Sequence, residues 1–104
     1  NIDGINFMPE PIGYKSSRWL TTLTIDKDIT GKIPADIIKI LENHHIESRP
    51  LWKPMHLQPV FTGVSYHGSG VDESLFESGL CLPSGSDMTI DEQQKIIDIL
   101  LENI

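Results

Sequence analysis

The sequence predicts an α/β (α+β) two-layer sandwich, in which a small three-stranded sheet carries helices on one face, and three observations support it. Arg18 to Ile25 is rich in aromatic and β-branched residues, with Leu23 and Ile25 alternating with threonines, the pattern of a half-buried strand. Ile33 to His45 carries Pro34 at a first-turn position and apolar residues at 33, 37, 38, 40 and 41, which gives a helix one buried face. Thr89-Ile90-Asp91-Glu92 matches the capping box that opens a helix, and it is followed by Ile96, Ile97, Leu100, Leu101 and Ile104 as an apolar stripe.

The remaining elements fall between these in order. Residues 1 to 16 contain Asp3-Gly4, Pro9, Pro11 and Gly13, too many breakers for a long element, and read as a short extended piece followed by a turn. Asp26-Lys27-Asp28 with Gly31 reads as a polar turn. A second strand is expected after Ile46, from Glu47 through about Leu51. A glycine-rich connection, Tyr66-His67-Gly68-Ser69-Gly70, has neither GxGxxG nor Walker spacing, so it reads as a linker and not a phosphate cradle. Val71 to Ser78 is a short helix with acids in its first turn, Leu75 and Phe76 as anchors and Gly79 as its stop. Leu80-Cys81-Leu82-Pro83 is the third strand, closed by the turn at 83–86. Alternating strands and helices of this kind give one layer of sheet and one of helix.

Composition limits what such a domain can do. At 104 residues the chain is one domain with a single modest core. A net charge of -7 and a pI near 4.8 exclude a general nucleic-acid or anionic-membrane surface, so any anion site must be local. One cysteine excludes an internal disulfide framework and fits a reducing, cytoplasmic setting. No metal-ligand spacing is present, and no apolar run approaches the length of a membrane span. The chain opens on Asn1, and Ile2 to Pro9 reads as mid-protein sequence, so a longer chain is expected.

One stretch stands apart, Glu47-Ser48-Arg49-Pro50-Leu51-Trp52-Lys53-Pro54-Met55-His56-Leu57-Gln58-Pro59. Its prolines prevent a continuous helix or a central strand, which leaves a short strand opening into a stiff, extended loop. Arg49 can grip a phosphate bidentately, Lys53 supplies a point charge, and Trp52 or His56 can stack on a base or sugar face. Each also has a plain structural reading: a surface ion pair for Arg49, solvation for Lys53, packing for Trp52 and a hydrogen-bonded structural role for His56. Both readings stand at this level. Elsewhere the structural reading prevails. His44 and His45 fall at a helix end and suit capping or solvent exposure, Cys81 between two leucines suits a small buried hydrophobe, Trp19 suits the core and Arg18 the surface.

Three blocks then add a resemblance. Ser17-Arg18-Trp19-Leu20-Thr21-Thr22, the 47–59 stretch, and Leu75-Phe76-Glu77-Ser78-Gly79-Leu80-Cys81-Leu82-Pro83-Ser84-Gly85-Ser86 with Met88-Thr89 resemble, in order and spacing, the C-terminal region of the DegT/DnrJ/EryC1/StrS family. These are pyridoxal-phosphate-dependent aminotransferases of nucleotide-linked 4-keto sugars. The resemblance implies the small C-terminal domain of a fold-type I aminotransferase, with residues 1–104 as that single domain. The large domain, holding the cofactor and the lysine that carries it, would lie upstream. It further implies a glutamate amino donor, a homodimer with sites shared between subunits, and a nucleotide-sugar substrate approached by Arg49, Trp52, Lys53 and His56. The chain alone would then bind no pyridoxal phosphate and transfer no amine. The contrasting expectation is a stand-alone small-molecule-binding or regulatory α/β module.

Overall fold

The structure, a computed structural model, describes residues 2–17 and 19–104. The readings made at Asn1 and Arg18 lie outside the described residues. The elements run β1 (Ile5–Phe7), β2 (Thr21–Ile25), α1 (Lys27–Thr30), α2 (Pro34–Asn43), β3 (Arg49–Pro50), two 3-10 turns at Met55–Leu57 and Pro59–Phe61, α3 (Val71–Ser78), β4 (Gly79–Leu82) and α4 (Ile90–Asn103).

The expected α+β sandwich is present, with four strands among the described residues where three were expected. The sheet order is β1-β2-β4-β3, and every neighbouring pair is antiparallel. The added strand is β1, read above as a short extended piece. It pairs Ile5 with Ile25 and Phe7 with Leu23, and Asp26 donates its N–H to the Gly4 carbonyl at 2.8 Å. The expected second strand shrinks to Arg49–Pro50. Pro50 cannot donate to a ladder, and β3 is accordingly an edge strand.

Register explains the core. Leu23 stands opposite Leu80 and Thr21 opposite Leu82, so Leu23, Ile25, Leu80 and Leu82 share one face of the sheet. Ile37 and Leu41 of α2 and Ile96, Ile99 and Leu100 of α4 cover that face, and Ile37, Leu41 and Leu80 are the most deeply enclosed side chains. Thr22, Thr24 and Cys81 point to the other face by the same alternation.

The helix ends follow local chemistry. Asp26 opens α1 by accepting from the Asp28 N–H at 3.0 Å, which turns the expected polar turn into a single helical turn. In α2, Pro34 occupies the first turn and the Asp36 carboxylate accepts from the Ile33 N–H at 3.0 Å. That helix closes through His44 and His45, with His45 at φ 59 and the Ile46 N–H returning to the Leu41 carbonyl at 2.9 Å. The stripe of α4 is rotated from the one expected: Ile97 and Leu101 are exposed and Ile99 is buried, because 96, 99 and 100 follow the three-and-four spacing of one helical face. Leu75, expected to anchor α3, is likewise exposed, while Phe76 is half-buried. Among the described residues, no helix is long and apolar enough to cross a membrane.

The capping box opens α4 as expected. The Thr89 Oγ1 accepts from the Glu92 N–H at 3.3 Å, and the Glu92 Oε2 accepts from the Thr89 N–H at 2.8 Å. The Thr89 bonds hold the Glu92 carboxyl below its usual range. This contribution is therefore present above the ordinary carboxylate range and lost as pH falls through the lowered value. Thr89→Ala is expected to cost about 1 kcal/mol in a denaturant titration at neutral pH. No shift in the midpoint would mean that packing alone fixes the start of α4.

Candidate functional site

The prolines of the 47–59 stretch end the strand as the sequence suggests, but the loop expected to be extended winds into 3-10 turns from Met55 onward. After Pro50 the chain leaves the sheet edge, with the Leu51 N–H reaching the Gly79 carbonyl at 3.4 Å and the Leu51 side chain lying over Gly79. Trp52 and Lys53 follow as exposed residues, Pro54 is buried, and the chain then tightens into the two 3-10 turns. A proline-stiffened wall thus hangs from one edge of the sheet.

Beside this wall runs an open groove of about 1260 Å³ whose lining includes Trp19, Arg49, Trp52, Lys53, Cys81 and Lys95. Trp19 and Trp52 meet edge to face, with ring centroids 5.7 Å apart and planes at 75°. Trp19 was expected in the core and is instead 66% exposed. Strand alternation would have carried it inward with Thr21 and Leu23, but β2 begins only at Thr21. Its backbone is held by Ser84, whose Oγ donates to the Trp19 carbonyl at 3.2 Å.

In a chain of net charge -7, the groove is lined by the cations Arg49, Lys53 and Lys95 and by the carboxylates Glu47, Asp87 and Glu92. Arg49 stands opposite Cys81 in the β3–β4 ladder, and its Nε donates to Glu47 Oε1 at 2.7 Å. Both side chains are more than two-thirds exposed, so this ion pair is held weakly and an incoming anion can take Glu47's place on the guanidinium. Cys81, expected as a small buried hydrophobe, is half-buried in the groove lining, and its partial burial pushes its thiol up.

His56 is separated from the other three expected ligand residues. It does not line the groove, and only 16% of its side chain is exposed. Its Nε2 lies 2.8 Å from Glu73 Oε1, its Nδ1 lies 3.6 Å from Asp72 Oδ2, and the Tyr66 ring stacks on it at 3.8 Å between centroids. The Tyr66 hydroxyl donates to Asp72 Oδ1 at 2.6 Å and accepts from the Gly70 N–H at 3.2 Å. Sequence reasoning missed Tyr66, Asp72 and Glu73 as partners of His56. The only trace was a tyrosine inside a glycine-rich loop just ahead of two acids.

The Tyr66–Asp72 bond shifts both groups. It holds the Asp72 carboxyl below its usual range and pushes the Tyr66 phenol up. The lowered carboxyl favours this arrangement above the ordinary carboxylate range and ceases to do so as pH falls through its value here. The raised phenol favours it below the ordinary phenol range and ceases to do so as pH rises through its own. The bond is therefore complete across the neutral range, with both groups screened by solvent.

Comparison with known proteins bears on this arrangement of sheet, proline wall and groove. The sequence profile of the DegT/DnrJ/EryC1/StrS aminotransferase family matches residues 2–101. The chain belongs to that family. It is 49% identical over 105 aligned positions to EpsN of Bacillus subtilis (strain 168), a provisionally assigned pyridoxal phosphate-dependent aminotransferase, covering 97% of this chain and 26% of EpsN. Among solved structures it resembles the aminotransferase TlmJ of Streptoalloteichus hindustanus, with a TM-score of 0.80 and 20% identity over 98% of this chain and 26% of TlmJ. DesI, solved with its TDP-sugar product, gives a TM-score of 0.79 and 20% identity over 94% of this chain and 25% of DesI. These two likenesses bear on fold. The chain thus spans about a quarter of the length of the relatives it matches.

Proposed function

We propose that this chain is the substrate-facing small domain of a pyridoxal-phosphate-dependent aminotransferase that moves an amino group from glutamate to a nucleotide-linked 4-keto sugar. The observation that carries this reading is the groove, where two indoles in edge-to-face contact share one lining with Arg49 and Lys53 of the sheet-edge wall and Lys95 of α4, alongside the carboxylates Glu47, Asp87 and Glu92. Cations suit a diphosphate, and an exposed aromatic edge suits a flat base or a sugar face. That DesI was solved with a TDP-sugar product supports the choice of substrate class.

Pyridoxal phosphate would supply the amine-carrying chemistry, but the residues of this chain do not fit it by themselves. Of its six lysines, Lys15, Lys27, Lys39, Lys53 and Lys95 are exposed and Lys32 is half-buried, so none stands in a sheltered pocket suited to a cofactor-bearing amine. In this reading the cofactor is held by residues outside 1–104. The chain's own part is to bind and orient the sugar through Arg49, Trp52 and Lys53, with His56 acting from behind the wall. The full enzyme works as a homodimer in the cytoplasm.

The test is an amine-transfer assay on the full-length enzyme carrying this chain. With a nucleotide-linked 4-keto sugar, glutamate is expected to be consumed and its 2-oxo acid released in equal amount to the amino sugar formed. Turnover of free keto acids with no turnover of any nucleotide-linked sugar would overturn the reading.

A further inference from the structure

The glycine-rich stretch 66–70 matches no phosphate-binding spacing. Its glycines nevertheless have a purpose in the fold. A Cβ at Gly68 would lie 2.2 Å from the Tyr66 hydroxyl oxygen and 2.3 Å from its Cζ, so only glycine lets the Tyr66 ring fold back across its own loop. Gly70, at φ 79, then turns its N–H onto the Tyr66 hydroxyl while starting α3. The ring that is folded back stacks on His56, and its hydroxyl joins Asp72.

Around His56 little is left free. One nitrogen lies against Glu73, the other faces Asp72, and one ring face is covered by Tyr66. His56 therefore has no ring nitrogen to offer a ligand without giving up a carboxylate. What it does instead is tie the first 3-10 turn, which follows directly on the buried Pro54, to the first turn of α3. Lys53 and Trp52 stand on the other side of Pro54, so the same tie fixes the far end of the groove wall.

We propose that Tyr66, Asp72 and Glu73 are positioning residues that clasp His56, and that this clasp, made possible by Gly68, holds the 52–70 segment so that Trp52 and Lys53 are presented to the nucleotide sugar in one geometry. The link to substrate rests on the functional reading given above; the clasp itself does not.

The test uses the full-length enzyme with Tyr66→Phe, Gly68→Ala and Glu73→Ala. In each variant, amide hydrogen exchange across 62–70 is expected to rise about tenfold, the level of a segment that has lost its local tie. KM for the nucleotide sugar is expected to rise about threefold to tenfold with kcat held within about twofold, the mark of a lost binding geometry with chemistry intact. His56→Gln, whose amide can still donate to Glu73, is expected to restore most of what His56→Ala loses in both measurements. Unchanged exchange in Gly68→Ala and Tyr66→Phe would overturn the clasp, as would a His56→Gln variant no better than His56→Ala. If exchange rises as expected but neither the clasp variants nor Arg49→Ala alters KM, the clasp stands and the groove reading fails. If Arg49→Ala raises KM while Glu73→Ala changes neither exchange nor KM, the groove reading stands and the clasp fails.

Discussion

Replacing Leu80 by alanine is expected to destabilise the protein by about 3–5 kcal/mol, the upper part of the range for a fully enclosed leucine. Leu80 is 0% exposed and sits in the central strand, opposite Leu23 on one side and Pro50 on the other, under the roof made by α2 and α4. A cavity there cannot collapse easily, because its walls come from strands on both sides and from helices above. A domain of this size has only about 5–15 kcal/mol in total, so the variant should unfold at a much lower denaturant concentration or fail to accumulate. Leu101→Ala, on the exposed flank of α4, provides the comparison and should cost well under 1 kcal/mol, as surface changes do. Equal losses at the two positions would contradict the packing described here.

The double variant Arg49→Ala with Lys53→Ala, in the full-length enzyme, is expected to raise KM for the nucleotide sugar by about 10-fold to 100-fold, or about 1.4–2.8 kcal/mol of binding. The bound-cofactor absorbance should be unaffected, since neither residue is assigned to the cofactor. The Arg49 part of the effect has two sources. Removing the guanidinium loses a contact to phosphate, and it also leaves the exposed Glu47 carboxylate unpaired next to the groove, where it repels the anion. Glu47→Gln should therefore move KM in the opposite direction. Loss of the cofactor spectrum with unchanged sugar affinity would reject the assignment of these residues.

How much of this was legible in the sequence depends on where the determining partner lies. The capping box of α4 and the proline start of α2 were readable because their partners are three residues away. The strand at Ile5–Phe7 was not, since three residues between a turn and a proline become a strand only through pairing with Thr24 and its neighbours. The groove wall was legible as a stiff, cationic and aromatic loop because proline imposes its geometry locally. Its division was not: His56 faces Glu73, 17 residues further on, and nothing in the spacing signals that pairing. Trp19 was misplaced for a related reason. An aromatic residue two positions before an alternating strand reads as part of it, and only the actual end of the ladder shows otherwise.

The segment from Leu51 to Gly70 contains two 3-10 turns and one buried residue, Pro54, and contributes nothing to the core between β3 and α3. Lengthening such a segment adds little to the entropy of closing it, about 0.6 kcal/mol for each doubling. Insertions and deletions there would leave the sandwich standing while reshaping one side of the groove. Within this architecture, the wall proposed to face the substrate can be rewritten almost independently of the part that folds.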